Sequence, residues 1–96
     1  MALVPFDDRD GFIWWNGEFR PWREANLHVL SHGLHYASAV FEGERAYNGR
    51  IFKLREHTER LINSGRILGF EVPYTAEQID EACNATIAKN GLTNAY

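Results

Sequence analysis

Cysteine is almost absent from this 96-residue sequence, which contains only Cys83. A single cysteine can form neither an intrachain disulfide nor a cysteine-based zinc cluster, so we expect a reducing, cytoplasmic location. Basic residues are also few, because ten lysines and arginines face thirteen acidic residues and leave a formal net charge of −3. This balance provides no basic surface for nucleic acid or for an anionic membrane.

Long apolar runs are missing as well, although 45% of the residues are hydrophobic and 14% are aromatic. No segment approaches the roughly 20 apolar residues of a membrane-spanning helix. The first residues lack the basic-then-apolar pattern of a secretory signal. Glycine-rich nucleotide-binding motifs are absent too. The composition is typical of one small globular domain.

Two Asn-Gly pairs, Asn16-Gly17 and Asn48-Gly49, each separate two apolar runs. Asn-Gly favours the type I′ turn of a two-residue hairpin, because both central residues then take positive φ. The sequence therefore predicts two antiparallel hairpins. Their strands are expected near residues 12–15 and 18–21 around the first turn, and near residues 41–47 and 50–54 around the second.

Two helices are predicted after the hairpins. Leucines recur every seven residues from Leu54 to Leu68, and Gly69 closes this first helix. Thr75 and Gln78 form a capping box that begins the second helix, which Gly91 ends. Residues 92–96 begin a further strand. We expect an α+β fold, in which two helices pack on an antiparallel sheet built from hairpins. Residues 1–11 are expected to form an irregular arm, and residues 12–96 a domain whose last strand is incomplete.

Three histidines, His28, His32 and His35, have the spacing of one helical face. Such a set suggests metal ligands, but Gly33 weakens a continuous helix there. Histidines in a mixed apolar stretch more often bond backbone carbonyls or pack in a core. The sequence favours packing, and no metal site is predicted.

Arg60 lies at the margin of the apolar stripe of the first helix, where a guanidinium could reach a buried anion. The alternative is an i,i+4 ion pair with Glu56, which periodicity alone favours. On the same helical wheel Arg55 and Arg66 fall on the solvent-facing side. Cys83 falls on the apolar stripe of the second helix and is expected to be an inert core thiol.

One long motif run identifies a family. "LSHGLHYASAVFEGERAY", preceded by "IWWNGEFRPW" and followed by "IFKLREHTERL", resembles the amino-terminal part of branched-chain amino acid aminotransferases, from about Phe12 to Tyr96. These are class IV, fold type IV enzymes that use pyridoxal phosphate. The resemblance implies transfer of the amino group of leucine, isoleucine or valine to 2-oxoglutarate, in a homodimer or a higher homo-oligomer.

The resemblance also implies residue roles. Arg60 matches the arginine that binds the cofactor phosphate, which reverses the preference for a pair with Glu56. Phe41 matches a wall of the apolar substrate pocket, Gly43 leaves room for the substrate, and Tyr96 matches a pocket tyrosine. Tyr36 matches a residue that reaches the pocket of the neighbouring subunit. His32 and His35 match family histidines, which we expect to brace the segment that presents Tyr36 and Phe41.

The chain departs from the family in its lysines. Aminotransfer needs a lysine that forms a Schiff base with the cofactor, and neither Lys53 nor Lys89 matches it. No catalytic residue is therefore assigned, and these 96 residues alone are expected to be inactive and to expose apolar faces that favour self-association. Alternatives left open are a D-amino acid aminotransferase, an aminodeoxychorismate lyase of the same fold, and a non-catalytic binding module.

Overall fold

A computed structural model describes residues 3–96; Met1 and Ala2, the first residues of the expected arm, lie outside the described range. Residues 3–11 contain neither helix nor strand. The elements then follow in the order β1 (Phe12–Trp15), β2 (Glu18–Pro21), a 3₁₀ turn (Trp22–Glu24), the short helix α1 (His32–His35), β3 (Ala46–Tyr47), β4 (Arg50–Ile51), α2 (Leu54–Leu68) and α3 (Ala76–Lys89). The α+β class predicted from the sequence is confirmed.

Both predicted hairpins form around type I′ turns, in which Asn16 and Gly17 have φ of 49° and 96°, and Asn48 and Gly49 have φ of 50° and 79°. The bounds of the first hairpin are as predicted. The second is shorter than predicted on both sides, because residues 41–45 have no ladder partner and the left-handed Lys53 (φ 52°) turns the chain into α2. Within residues 3–96 the two hairpins form separate two-stranded sheets and do not join into one.

The two long helices begin and end at the predicted signals. Gly69 closes α2 in a left-handed conformation (φ 96°), and Thr75 and Gln78 form the complete capping box of α3.

A shared carboxylate joins the helices, since Asp80 on α3 accepts hydrogen bonds from Thr58 Oγ1 (2.6 Å) and Arg55 Nε (2.7 Å) on α2. The Arg55 side chain remains 43% exposed, but its pairing with α3 was not predicted. Asp80 and Glu77 draw its guanidinium toward α3.

The last residues lie antiparallel to the second hairpin. Ala46 and Ala95 exchange two backbone hydrogen bonds of 2.9 and 3.2 Å, and the Gly49 amide donates to the Thr93 carbonyl at 2.8 Å. The strand predicted at residues 92–96 is thus present as a single bridge. This bridge fixes Tyr96 beside the segment that precedes β3.

Little apolar surface is buried within residues 3–96. The buried apolar side chains are Ala46 and Ala82, and the most deeply buried side chain is that of Thr58, 2% exposed. Large apolar residues stay exposed, among them Tyr36, Phe41 and Tyr96. The expected exposure of apolar faces is confirmed. None of the helices in this range is both long enough and apolar enough to cross a membrane.

Candidate functional site

The best-organised polar cluster consists of Glu42, His57 and Arg60, which we call the Glu42 cluster. Arg60 Nε donates to Glu42 Oε2 and Arg60 Nη2 donates to Glu42 Oε1, both at 2.7 Å. His57 Nδ1 lies 2.6 Å from Glu42 Oε1. An ionised carboxylate only accepts hydrogen bonds, so His57 carries a proton on Nδ1 and donates it. One carboxylate therefore holds two side chains of α2.

Local structure brings the cluster together. His57 and Arg60 are three residues apart on α2 and so share one face of the helix. Glu42 comes from the extended segment before β3, which is held in place by the Ala46–Ala95 bridge and by the bond from the Phe52 amide to the Arg45 carbonyl (2.9 Å). The segment and the first turns of α2 thus face each other across the second hairpin.

The charges within the cluster are complementary. Hydrogen bonds from Arg60 first, and from His57 second, lower the pKa of the Glu42 carboxyl to about 2. The same bonds to Glu42 raise the pKa of Arg60 above its ordinary value. At neutral pH the cluster therefore contains a fixed carboxylate and a fixed guanidinium.

Arg60 does not form the alternative ion pair with Glu56. Glu56 lies instead 3.7 Å from Lys53 Nζ. The Arg60 side chain is 67% exposed although its partner Glu42 is only 8% exposed. The guanidinium is thus held from the protein side and faces outward, as a group that binds an anion must.

Gly43 and Tyr96, two residues predicted to line a substrate pocket, lie against each other. A Cβ atom at Gly43 would lie 3.2 Å from Tyr96 Cζ and closer still to Tyr96 Oη. Only a residue without a side chain permits this approach. The Arg45 guanidinium lies 5.3 Å from the centre of the Tyr96 ring, over its face. The tyrosine hydroxyl therefore lies beside the backbone that presents Glu42.

Tyr36 and Phe41 occupy more open positions. The ring of Tyr36 lies against His32 (4.9 Å between centroids) and His35 (4.7 Å, edge to face). His28, His32 and His35 are all exposed, so the core packing favoured by the sequence was wrong, and the bracing role stays a prediction. Tyr36 is 63% exposed. Phe41 immediately precedes Glu42 in the chain and is 79% exposed.

An apolar groove of about 780 Å³ lies between the two hairpins, α2 and α3, with Trp14, Leu61, Ile79 and Tyr96 in its wall. Glu44 also lines it, and Oε1 of this side chain is buried without a hydrogen-bond partner among the described residues. Burial raises the pKa of the Glu44 carboxyl. The groove can thus accept apolar groups and, at Glu44, a hydrogen-bond donor.

Other candidate chemistries would need a metal site, a reactive cysteine or a lysine near the site. In the described part of the chain, no three histidine, cysteine or acidic side chains are grouped as metal ligands. Burial first, and the nearby Glu44 carboxylate second, raise the pKa of the Cys83 thiol to about 11, as expected of an inert thiol. Lys89 ends α3 with its ammonium 4.4 Å from the centre of the Phe12 ring.

Sequence reasoning missed Glu42 and His57 as partners of Arg60. From the sequence, neither residue was assigned a role. The helical pairing rule reaches three or four residues, whereas Glu42 lies eighteen residues from Arg60 across a hairpin. The available signal was the predicted hairpin itself, which folds the segment before β3 toward the start of α2.

Comparison with known proteins gives a consistent set of similarities. A family model described as amino-transferase class IV matches residues 39–96. A probable branched-chain-amino-acid aminotransferase of Rickettsia bellii is 54% identical over 85 residues, which make up 88% of this chain and 29% of the relative. The branched-chain-amino-acid aminotransferase of Pseudomonas aeruginosa is 47% identical over 93 residues, 93% of this chain and 30% of the relative.

Solved structures agree with the fold. The structure of Escherichia coli branched-chain amino acid aminotransferase superposes with a TM-score of 0.86 and 43% identity, over 92% of this chain and 30% of that one. The structure of a T.th. branched-chain amino acid aminotransferase complexed with N-(5′-phosphopyridoxyl)-L-glutamate gives a TM-score of 0.84 at 43% identity, over 90% of this chain and 30% of that one. The chain therefore spans about 30% of the length of the proteins that it matches.

Proposed function

Because this chain belongs to the class IV aminotransferase family, we propose that it is the small-domain portion of a branched-chain amino acid aminotransferase. The similarity to branched-chain aminotransferases over nearly the whole chain carries the proposal. The complete enzyme would transfer the amino group of leucine, isoleucine or valine to 2-oxoglutarate with pyridoxal phosphate as cofactor. Residues 12–96 would form the small domain, and residues 1–11 an arm before it.

The residues of the site fit this cofactor. Arg60 presents an outward-facing guanidinium, which matches a phosphate dianion in charge and in fork geometry. Gly43 lets the Tyr96 hydroxyl approach the backbone that presents Glu42. When bound, pyridoxal phosphate supplies the electron-withdrawing ring that stabilises negative charge on the α-carbon of the amino acid. We propose that Arg60 binds the phosphate and that Gly43 leaves the substrate room beside the backbone.

The apolar substrate wall is assigned to Phe41, and the hydroxyl of Tyr96 is assigned to the same pocket. An exposed phenylalanine suits a branched aliphatic side chain, since burying such a group is favourable by roughly 1.5–3 kcal/mol. Amino acids and 2-oxo acids are thus the proposed substrates. We propose that the Schiff-base lysine lies outside these 96 residues, because neither Lys53 nor Lys89 matches the family's catalytic lysine.

We propose a homodimer or a higher homo-oligomer for the complete enzyme. Support comes from the segment around α1, in which Leu27, Val29, Leu30 and Leu34 are each 61–67% exposed beside Tyr36. Contiguous exposed apolar side chains are typical of a protein interface. We propose that Tyr36 reaches the pocket of a neighbouring subunit. The cytoplasmic location stays a prediction from the single cysteine and the composition.

The proposal is tested on the full-length protein. It should transfer the amino group of L-leucine to 2-oxoglutarate, and borohydride should trap one pyridoxyl group per chain. Activity with D-alanine or with aminodeoxychorismate in place of L-leucine would assign the chain to another class IV enzyme. A chain that traps no pyridoxyl group and transfers no amino group would be a binding module.

The role of Arg60 has its own test. Arg60→Ala should weaken the affinity of the full-length protein for pyridoxal 5′-phosphate at least tenfold, because a charge-assisted fork to the phosphate is lost. Arg66→Ala is the matched control, since Arg66 lies on the same helix and is exposed. Equal affinities of the two variants would contradict the assignment.

A further inference from the structure

We propose that Glu42 is a positioning residue for phosphate recognition: it fixes the guanidinium of Arg60 from behind, so that the terminal edge of the guanidinium is aimed at the cofactor phosphate. The inference rests on the proposed function, and it adds a residue to which the resemblance assigned no role. It is carried by the geometry of the Glu42 cluster.

The donors of Arg60 divide between two edges. An arginine has five N–H donors in one plane. Glu42 takes the Nε donor and one Nη2 donor, each at 2.7 Å. The second Nη2 donor and one Nη1 donor form the terminal edge, which can bind a phosphate with two parallel bonds, and the other Nη1 donor lies on the Cδ side of the group. Glu42 thus occupies one side of the fork and leaves the phosphate-binding edge available.

Within the Glu42 cluster, the side-chain exposure increases from Glu42 to Arg60. The Glu42 side chain is 8% exposed and that of His57 is 20% exposed, whereas that of Arg60 is 67% exposed. The carboxylate therefore lies on the protein side of the guanidinium, and solvent lies on the other side. An anion from solution meets Arg60 before it meets Glu42.

Two bonds to two different nitrogens fix the plane of the guanidinium as well as its position. An arginine side chain has many rotamers, and ordering it upon binding costs affinity. A side chain that is already ordered by Glu42 avoids most of this cost. The bond from His57 Nδ1 to Oε1 in turn holds the carboxylate, which leaves the Glu42 cluster with one arrangement.

The experiment measures the affinity of the full-length protein for two probes, pyridoxal 5′-phosphate and pyridoxal, in Glu42→Gln, Arg60→Ala and the double variant. Glutamine cannot accept the fork, because its amide nitrogen would face an arginine donor. Glu77→Gln is the matched control, since Glu77 also pairs with an arginine, Arg55 at 3.2 Å, away from the Glu42 cluster. Thermal unfolding of each variant monitors the fold.

We expect Glu42→Gln to weaken pyridoxal 5′-phosphate binding about tenfold, the lower end of what loss of a supporting partner costs at metal sites. Binding of pyridoxal should be unchanged, because it carries no phosphate. In the Arg60→Ala background the Glu42 substitution should have no further effect. The Glu77 control should bind both probes as the unmodified protein does.

Equal losses for both probes would overturn the inference, as would an undiminished loss in the Arg60→Ala background or tighter phosphate binding by Glu42→Gln. If Arg60→Ala itself changes nothing, the proposed role of Arg60 fails. If Arg60→Ala weakens binding and Glu42→Gln does not, only the role of Glu42 fails. If Glu42→Gln does not fold, Glu42→Asp replaces it, because aspartate keeps the charge but its side chain is shorter by one methylene. This variant should show the same phosphate-dependent loss of affinity. Unchanged binding would count against the inference.

Discussion

Substitution of Gly43 by alanine tests the proposed substrate site, because the structure shows which atom the new methyl group meets. The added Cβ would lie 3.2 Å from Tyr96 Cζ, with the hydroxyl oxygen closer still. Ordinary contacts of a Cβ lie at 3.4–4 Å. Gly43 has no positive φ, so the backbone accepts alanine without strain. The Tyr96 ring has to move.

The size of the effect on stability and activity depends on how easily the Tyr96 side chain can move. The Tyr96 side chain is 81% exposed, so its ring can turn away without opening a cavity. We therefore expect the free energy of unfolding to change by less than about 1 kcal/mol, below the 1–3 kcal/mol typical of overpacking in a closed core. The hydroxyl would be displaced by roughly 1 Å, and displacements of that size cost up to about 100-fold in catalysis. We expect kcat/KM for L-leucine to fall about tenfold.

The assay measures kcat/KM and thermal unfolding of the full-length Gly43→Ala protein. The same measurements are made on Tyr96→Phe and on the double variant. Tyr96→Phe removes the oxygen that lies closest to the new methyl group, so Gly43→Ala should do less further harm in that background. An unchanged kcat/KM in Gly43→Ala would refute the placement of Tyr96 against Gly43 at the site. The same would follow if the two substitutions acted independently.

Two further predictions concern the scaffold. Thr58→Val keeps the shape of a buried side chain but removes its hydrogen bond to Asp80, so the free energy of unfolding should fall by about 1–3 kcal/mol. Urea titrations measure this change. An unchanged unfolding midpoint would show that Arg55 alone satisfies Asp80. The pKa of Cys83 is about 11 against an ordinary 9.0, so near pH 8 the folded protein has about 100-fold less thiolate than a free thiol has. Iodoacetamide should therefore alkylate Cys83 about 100 times more slowly than a free thiol until the protein unfolds. Because the folded-state pKa is the higher one, this thiol disfavours folding only as the pH rises above about 9; labelling in the folded state at the rate of a free thiol would contradict the burial.

Local signals predicted the elements whose determinants are local. The Asn-Gly turns fixed both hairpins, and the capping box of Thr75 and Gln78 fixed the start of α3, because these determinants lie within four residues of one another. The length of the second hairpin was less well predicted. Its outer residues lack ladder partners, and the sequence pattern of a strand does not reveal whether a partner is present.

The polar pairs were harder to predict, because they join residues that are distant in sequence. Arg55 and Arg60 were judged from a helical wheel, which describes one helix in isolation. Their partners come from other elements: Asp80 from α3 for Arg55, and Glu42 from the segment before β3 for Arg60. The family resemblance pointed to Arg60, but only the fold shows which carboxylate holds it.

The two halves of the proposed site differ in how completely this chain builds them. Arg60 is fixed on α2, and α2 is tied to α3 through the Asp80 carboxylate, so the phosphate-binding half is ordered before any ligand arrives. The apolar half is open, since Phe41 and Tyr96 are 79% and 81% exposed. A pocket that selects a branched aliphatic group must enclose it. We therefore expect the enclosing atoms to come from the rest of the complete enzyme and from Tyr36 of a neighbouring subunit, as proposed for a chain that spans about 30% of the length of its relatives. We accordingly expect substitutions in the Glu42 cluster to change cofactor affinity, and substitutions at Phe41 to change substrate preference only in the complete enzyme.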